Sequence, residues 1–176
     1  MLWIRTANGK RFFPFAPNTC GVDVEDIAQA LSLLCCFSGQ TPVFYSLAQH
    51  CIQVSRLLAP HLSIHGMLLR ADAAYLGSTP TIVRSGCPDF FARSRDIRSC
   101  IYHALKIYLP NPQDELTVEV ARDTVMSTEA RDILGIENDA AQTVGALTTI
   151  LVPMSHAEAR ETWLLELEEA RRTYEP

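Results

Sequence analysis

No stretch of this 176-residue chain approaches the roughly 18 consecutive apolar residues that span a bilayer, so no membrane partner is expected. A basic excess is missing too. The chain has 15 Lys and Arg against 20 Asp and Glu, and a net charge of −5 argues against a nucleic-acid partner, which needs a basic face. Met1–Arg5 has neither the basic nor the apolar region of a signal peptide. The six cysteines, at positions 20, 35, 36, 51, 87 and 100, include no Cys-x-x-Cys pair. Without an export signal they are expected to be reduced thiols in a cytoplasmic protein, most of them buried as small hydrophobes. Zinc-ligand spacing, a Gly-rich phosphate loop and a Ser-His-Asp order are all absent. There is no linker, repeat or low-complexity run, so residues 1–176 read as one domain. At 48% hydrophobic and 20% charged residues, it is long enough to bury an ordinary globular core.

The patterning that is present is helical. Asn8–Gly9 between two short alternating runs signals a hairpin, because a tight turn needs positive φ. Beyond Pro17, Val24, Ile27, Ala28, Leu31, Leu34 and Cys35 recur at three- and four-residue spacing and predict a first helix. Tyr45 to Leu57 continues the periodicity and ends near Pro60. A third helix is predicted from about His61 to Leu76, capped by Gly77. Phe90–Leu109, Leu116–Leu134 and Ala157–Thr173 complete the set, with Pro110 and Pro112 in a turn. The fold class is all-α, a helical bundle with a small N-terminal β-hairpin. Glu25–Asp26 suit the first turn of a helix, where negative charge is favoured. The charged run Glu158–Arg172 suits an exposed face or an oligomer contact. Trp3, Phe12, Phe13 and Phe15 suit hairpin packing.

Phe44–Tyr45–Ser46–Leu47–Ala48–Gln49–His50, followed by Leu68–Leu69–Arg70–Ala71–Asp72–Ala73–Ala74–Tyr75–Leu76–Gly77, resembles the HD-domain phosphohydrolases. Four further segments resemble the same family. They are the opening Trp3–Ser32, the loop Cys35–Thr41, the helical signature Thr128–Leu134 and the closing-helix start Ser155–Arg160. The resemblance implies an HD-domain bundle and a family of bacterial and phage type that acts on nucleotides and related phosphate esters. Its members hold a divalent cation with a His, a His-Asp pair and a later Asp. The metal polarises a phosphoryl oxygen and supplies a bound hydroxide.

This chain departs from that pattern at nearly every ligand. His50 remains, but the His-Asp pair is Leu69–Arg70. Counting seven residues back from Glu129 puts Arg122 at the final Asp, and a slip of one would put Asp123 there. The helper acids are Ala73 and Ser78, and the loop Arg and His that face substrate are Cys36 and Gln40. One His cannot hold a metal that needs three or more protein ligands, and a guanidinium is never a ligand. A site displaced by a helical turn would use His50, His65 and Asp72, since His61, His65, Leu69 and Asp72 share a helical face.

The two arginines carry the remaining expectation. Like charges ~4 Å apart repel by about 4 kcal/mol at an effective dielectric near 20, unless something neutralises them. A phosphate between Arg70 and Arg122 would do so through bidentate bonds, with His50 and Gln40 adding donors. The alternative is that each Arg turns outward or pairs with Asp72, Asp123 or another acid in a closed pocket. The leading expectation is a catalytically inactive HD-domain protein that binds a nucleotide-like phosphate without metal or other cofactor. It would act as a sensor, a sequestering protein or a regulatory subunit. The rivals are a protein-interaction module with a closed site and a residual metal-dependent phosphohydrolase. The resemblance also implies a possible homo-oligomer or protein partner.

Overall fold

A computed structural model describes residues 2–136 and 145–174. Strands β1 (Ile4–Arg5) and β2 (Arg11–Phe12) form an antiparallel hairpin in register Ile4↔Phe12, and Gly9 at its turn takes φ +78°. Then follow α1 (Val24–Leu33), α2 (Leu47–Arg56), α3 (Pro60–Met67), α4 (Ala73–Leu76), α5 (Thr81–Ser85), α6 (Pro88–Leu105), α7 (Pro112–Asp132) and α8 (His156–Thr173). The chain is all-α with a two-stranded N-terminal hairpin, and none of these helices is long and apolar enough to cross a membrane.

Local chemistry sets most of the helix starts. Asp23 accepts from the Glu25 amide, Ser46 from Gln49, and Asn111 from both Gln113 and Asp114. Ser155 and Glu158 form a reciprocal capping box on α8. Pro60, Pro88 and Pro112 open α3, α6 and α7, where a missing N–H costs nothing. Pro112 therefore belongs to a helix rather than to the predicted turn.

The core lies between α1, α2, α3 and α8. Trp163 is fully buried there and donates through Nε1 to the Met67 carbonyl at 3.2 Å. Helices α2 and α3 approach so closely that a Cβ on Gly66 would lie 2.7 Å from Ser55 Cα and 2.8 Å from its nitrogen. Gly66→Ala is therefore expected to lower stability by about 2 kcal/mol in a denaturant titration, despite the better helix propensity of Ala. Val54 on α2 packs with Val118, Ala121 and Val125 on α7. Phe12 is buried and stacks on Tyr75 at 3.7 Å, whereas Trp3 and Phe15 are exposed beneath Arg11 and Arg93.

The structure corrects several expectations. The predicted helix His61–Leu76 is two helices, α3 and α4, with tight turns at residues 68–72. There the bonds run three residues back, from Leu69 to Gly66, Ala71 to Leu68 and Ala73 to Arg70. Burial of Leu68, Ala71 and Asp72 overrides the helical periodicity at that point. Helix α5 lies between Gly77 and Phe90, where the periodicity predicts no element. Glu25 and Asp26 do lie in the first turn of α1, and Asp26 is also buried and accepts from the Asn8 amide at 2.7 Å. Arg160 pairs with Glu25 on α1 instead of facing only solvent. Of the cysteines, all free thiols, only Cys36 and Cys51 are buried.

His65 sits inside the core, with Nδ1 3.3 Å from the Tyr102 hydroxyl and its ring stacked on that of Tyr102. Burial first and the Arg98 charge second hold its pKa down at about 4. A depressed histidine pKa gives stability that is present above the unfolded value near 6.5 and is lost as pH falls toward 4. The loss in unfolding free energy between pH 7 and 4.5 is expected to shrink by about 2 kcal/mol in His65→Phe, measured by denaturant unfolding at both pH values.

Candidate functional site

A cavity of about 670 Å³ opens between α2, the 68–72 turns, α5, α6 and α7. Its volume falls within the range of small-molecule sites. The loop after α1 supplies one wall. Phe37 and Ser38 take φ +53° and +55°, and Gly39 follows at +75°. Consecutive left-handed residues are costly for non-Gly side chains and persist only where surrounding structure holds them. This turn places Cys36, Phe37 and Ser38 on the cavity and leaves Gln40 exposed and off its lining. Gln40 is thus not among the cavity's donors.

His50 reaches the cavity from α2. Its Nδ1 lies 2.8 Å from Glu129 Oε1 on α7, and both side chains are buried. Glu129 also lies beside the Tyr45 hydroxyl. Burial, followed by the Glu129 charge, raises that phenol far above its usual range. Cys36 is likewise pushed well above the ordinary thiol range, by burial and then by Glu129, so it is an unreactive thiol.

Five arginines line the cavity: Arg70, Arg84, Arg95, Arg98 and Arg122. Among the described residues its acids are Asp72, Glu115, Glu119 and Glu129, and each is engaged. Asp72 Oδ2 accepts from Arg84 at 3.2 Å and from Ser94 at 2.5 Å, while Arg84 also donates to Ser94 at 2.7 Å. Glu115 pairs with Arg98 at 2.8 Å, and Glu119 lies 3.6 Å from Arg122. Arg122 is further held by Asp123 through Nε and Nη2 at 3.0 and 2.8 Å. Arg70 differs. Its one side-chain hydrogen bond among the described residues is a 3.5 Å approach to the Thr79 carbonyl, and its buried Nε, like that of Arg98, has no hydrogen-bond partner there. Among the described residues neither Arg70 nor Arg95 has an ion-pair partner. Arg95 is exposed at the mouth and Arg70 is half-buried inside.

The expected site residues therefore separate. His50, Arg70 and Arg122 share one cavity, and Arg122 rather than Asp123 faces it. The two arginines are not equivalent, because Arg122 is neutralised on its own helix and Arg70 is not. The alternative cluster of His50, His65 and Asp72 is not assembled. Each has a different partner, and the break after α3 leaves His65 in the core beside Tyr102. Among the described residues no three His, Cys, Asp or Glu side chains converge where they would hold a metal. The sequence reading missed Arg84, Ser94, Arg98 and the role of Glu129. The first of these lies on the short helix it did not resolve. Ser94 and Arg98 follow Phe91 at helical spacing and were legible as one face.

Fold and cavity together define an all-α protein with an arginine-rich internal site. No protein-family model matches the chain. Over 138 residues it is 31% identical to the uncharacterized protein YfdR of Escherichia coli strain K12, covering 78% of this chain and 75% of that protein. The chain belongs to the YfdR family.

Proposed function

We propose that this chain is a catalytically inactive HD-domain protein that binds a nucleotide-like phosphate ligand without metal, as a sensor, sequestering protein or regulatory subunit. The observation that carries this reading is Arg70. Among the described residues it lines an open cavity with its Nε buried and unbonded, while the carboxylates of that cavity are already paired. A buried polar group without a partner costs about 1–3 kcal/mol, and a bound anion would remove that cost. A planar guanidinium matches phosphate oxygens two at a time. The open volume speaks against the rival in which the site has closed.

The residues around His50 do not fit a divalent cation. The Nδ1 bond to Glu129 leaves His50 Nε2 as the one ring nitrogen for a ligand, and the positions that would complete a metal site by the resemblance are Leu69, Arg70 and Arg122, which line the same cavity. A guanidinium neither ligates nor attracts a cation.

Thermal denaturation with a nucleotide panel in EDTA tests the reading. A ligand at a hundredfold over its Kd adds about 2.7 kcal/mol, which moves the midpoint by a few degrees for a domain of this size. A selective, EDTA-resistant shift is expected. No shift with any nucleotide would transfer the assignment to a protein-interaction module.

A further inference from the structure

Residues 80–89 form a stretch in which every residue except Arg84 is exposed. The stretch contains α5, which buries no residue at all. Even so, residues 78–82, 84 and 85 supply one wall of the cavity. A wall without a buried apolar side chain gains little from packing and has to be held by polar bonds. Among the described residues, only Arg84 makes side-chain hydrogen bonds from residues 80–89 to the cavity's other walls. Its Nη2 donates to Asp72 Oδ2 at 3.2 Å and to Ser94 Oγ at 2.7 Å. Asp72 and Ser94 are themselves buried, and Ser94 donates to the same Asp72 oxygen at 2.5 Å. That pair stays bonded when Arg84 leaves, so the docking point for Arg84 persists. Below the stretch, the tie between Arg70 and the Thr79 carbonyl is weak at 3.5 Å. Gly77, where the segment leaves α4, takes φ +80° with nothing within 4 Å of where a Cβ would stand.

We propose that residues 78–86 are a lid over the cavity, hinged at Gly77 and latched by Arg84 to the Asp72–Ser94 pair. Closed, the lid is the wall described above. Open, it admits a solute from the α5 side, and reclosing shuts water out behind it. One side chain carries the whole latch, so the segment opens and closes as a unit rather than residue by residue. The lid follows from the anchoring of the segment alone, and it holds whichever solute the cavity takes.

Amide hydrogen exchange of the full chain, followed by NMR, tests this. Four amides report on the lid: Val83 and Arg84 donate to the Pro80 carbonyl, Gly86 to Ile82 and Cys87 to Arg84. In the wild-type chain the four are expected to share one opening equilibrium. In Arg84→Ala all four should exchange about tenfold or more faster, the size of one lost hydrogen bond to a charged group, while amides of α2 and α3 keep their wild-type rates. Arg84→Lys keeps a cation beside Asp72 and loses the fork that reaches both partners, so the same four amides should accelerate less. Unchanged exchange in Arg84→Ala would overturn the latch. Wild-type opening that is graded along the segment would show fraying instead of a lid. Acceleration spread equally over α2 and α3 would make Arg84 a support of the whole fold and would overturn the proposal as well.

Discussion

Replacing Arg70 by glutamate is expected to abolish the EDTA-resistant stabilisation by nucleotides, a loss of the full shift of several degrees, while leaving the unliganded midpoint within about a degree or two of wild type. The fold should survive because Arg70 is half-buried and gives up no ion pair on replacement. Its one side-chain hydrogen bond among the described residues is the weak 3.5 Å approach to Thr79. Arg70→Lys separates charge from shape. A lysine keeps the positive charge but loses the two-point fork, so affinity should fall without vanishing. Full nucleotide affinity in Arg70→Glu would sink the proposed pocket. An equivalent charge reversal at Arg122 should weaken binding less, because Asp123 and Glu119 already satisfy that guanidinium.

The second large effect concerns stability. His50→Ala takes away the hydrogen-bond partner of Glu129, which is 1% exposed in the intact protein. Removing one member of a buried pair costs about 3 kcal/mol or more, whereas replacing both by apolar groups is far milder. His50→Ala should therefore unfold at markedly lower denaturant, and the double variant His50→Leu with Glu129→Leu should recover most of the loss. Equal stability of His50→Ala and wild type would show that the pair contributes nothing to the fold. The same geometry bears on any activity assay: a loss in His50→Ala has to be set beside the amount of folded protein before it is assigned to chemistry.

Both effects trace to a site that was only partly legible in the chain. His50, Arg70 and Arg122 were reached by matching segments to a family pattern, and the structure brings all three to one cavity. Gln40 came from the same match but lies off the cavity, because three left-handed residues turn the loop before it. Periodicity could not have shown this, since a run of positive φ at Phe37 and Ser38 has no compositional signal. Glu129 was visible only as part of a helical signature. Its pairing with His50 spans 79 positions of sequence.

Elements whose cause is local were readable from the sequence. The Asn8–Gly9 turn, the stripe on α1, the Gly77 stop at φ +80° and the six principal helices follow from turn chemistry, capping and 3.6-residue spacing. Tertiary packing decided the rest. Burial of Leu68, Ala71 and Asp72 breaks one predicted helix into two and turns Arg70 toward the cavity. Asp72, Glu115 and Glu119 are each taken by another arginine, and that distribution leaves half-buried Arg70 without an ion-pair partner among the described residues. An ionic balance of this kind depends on which side chains meet across helices distant in sequence, so composition and spacing do not contain it.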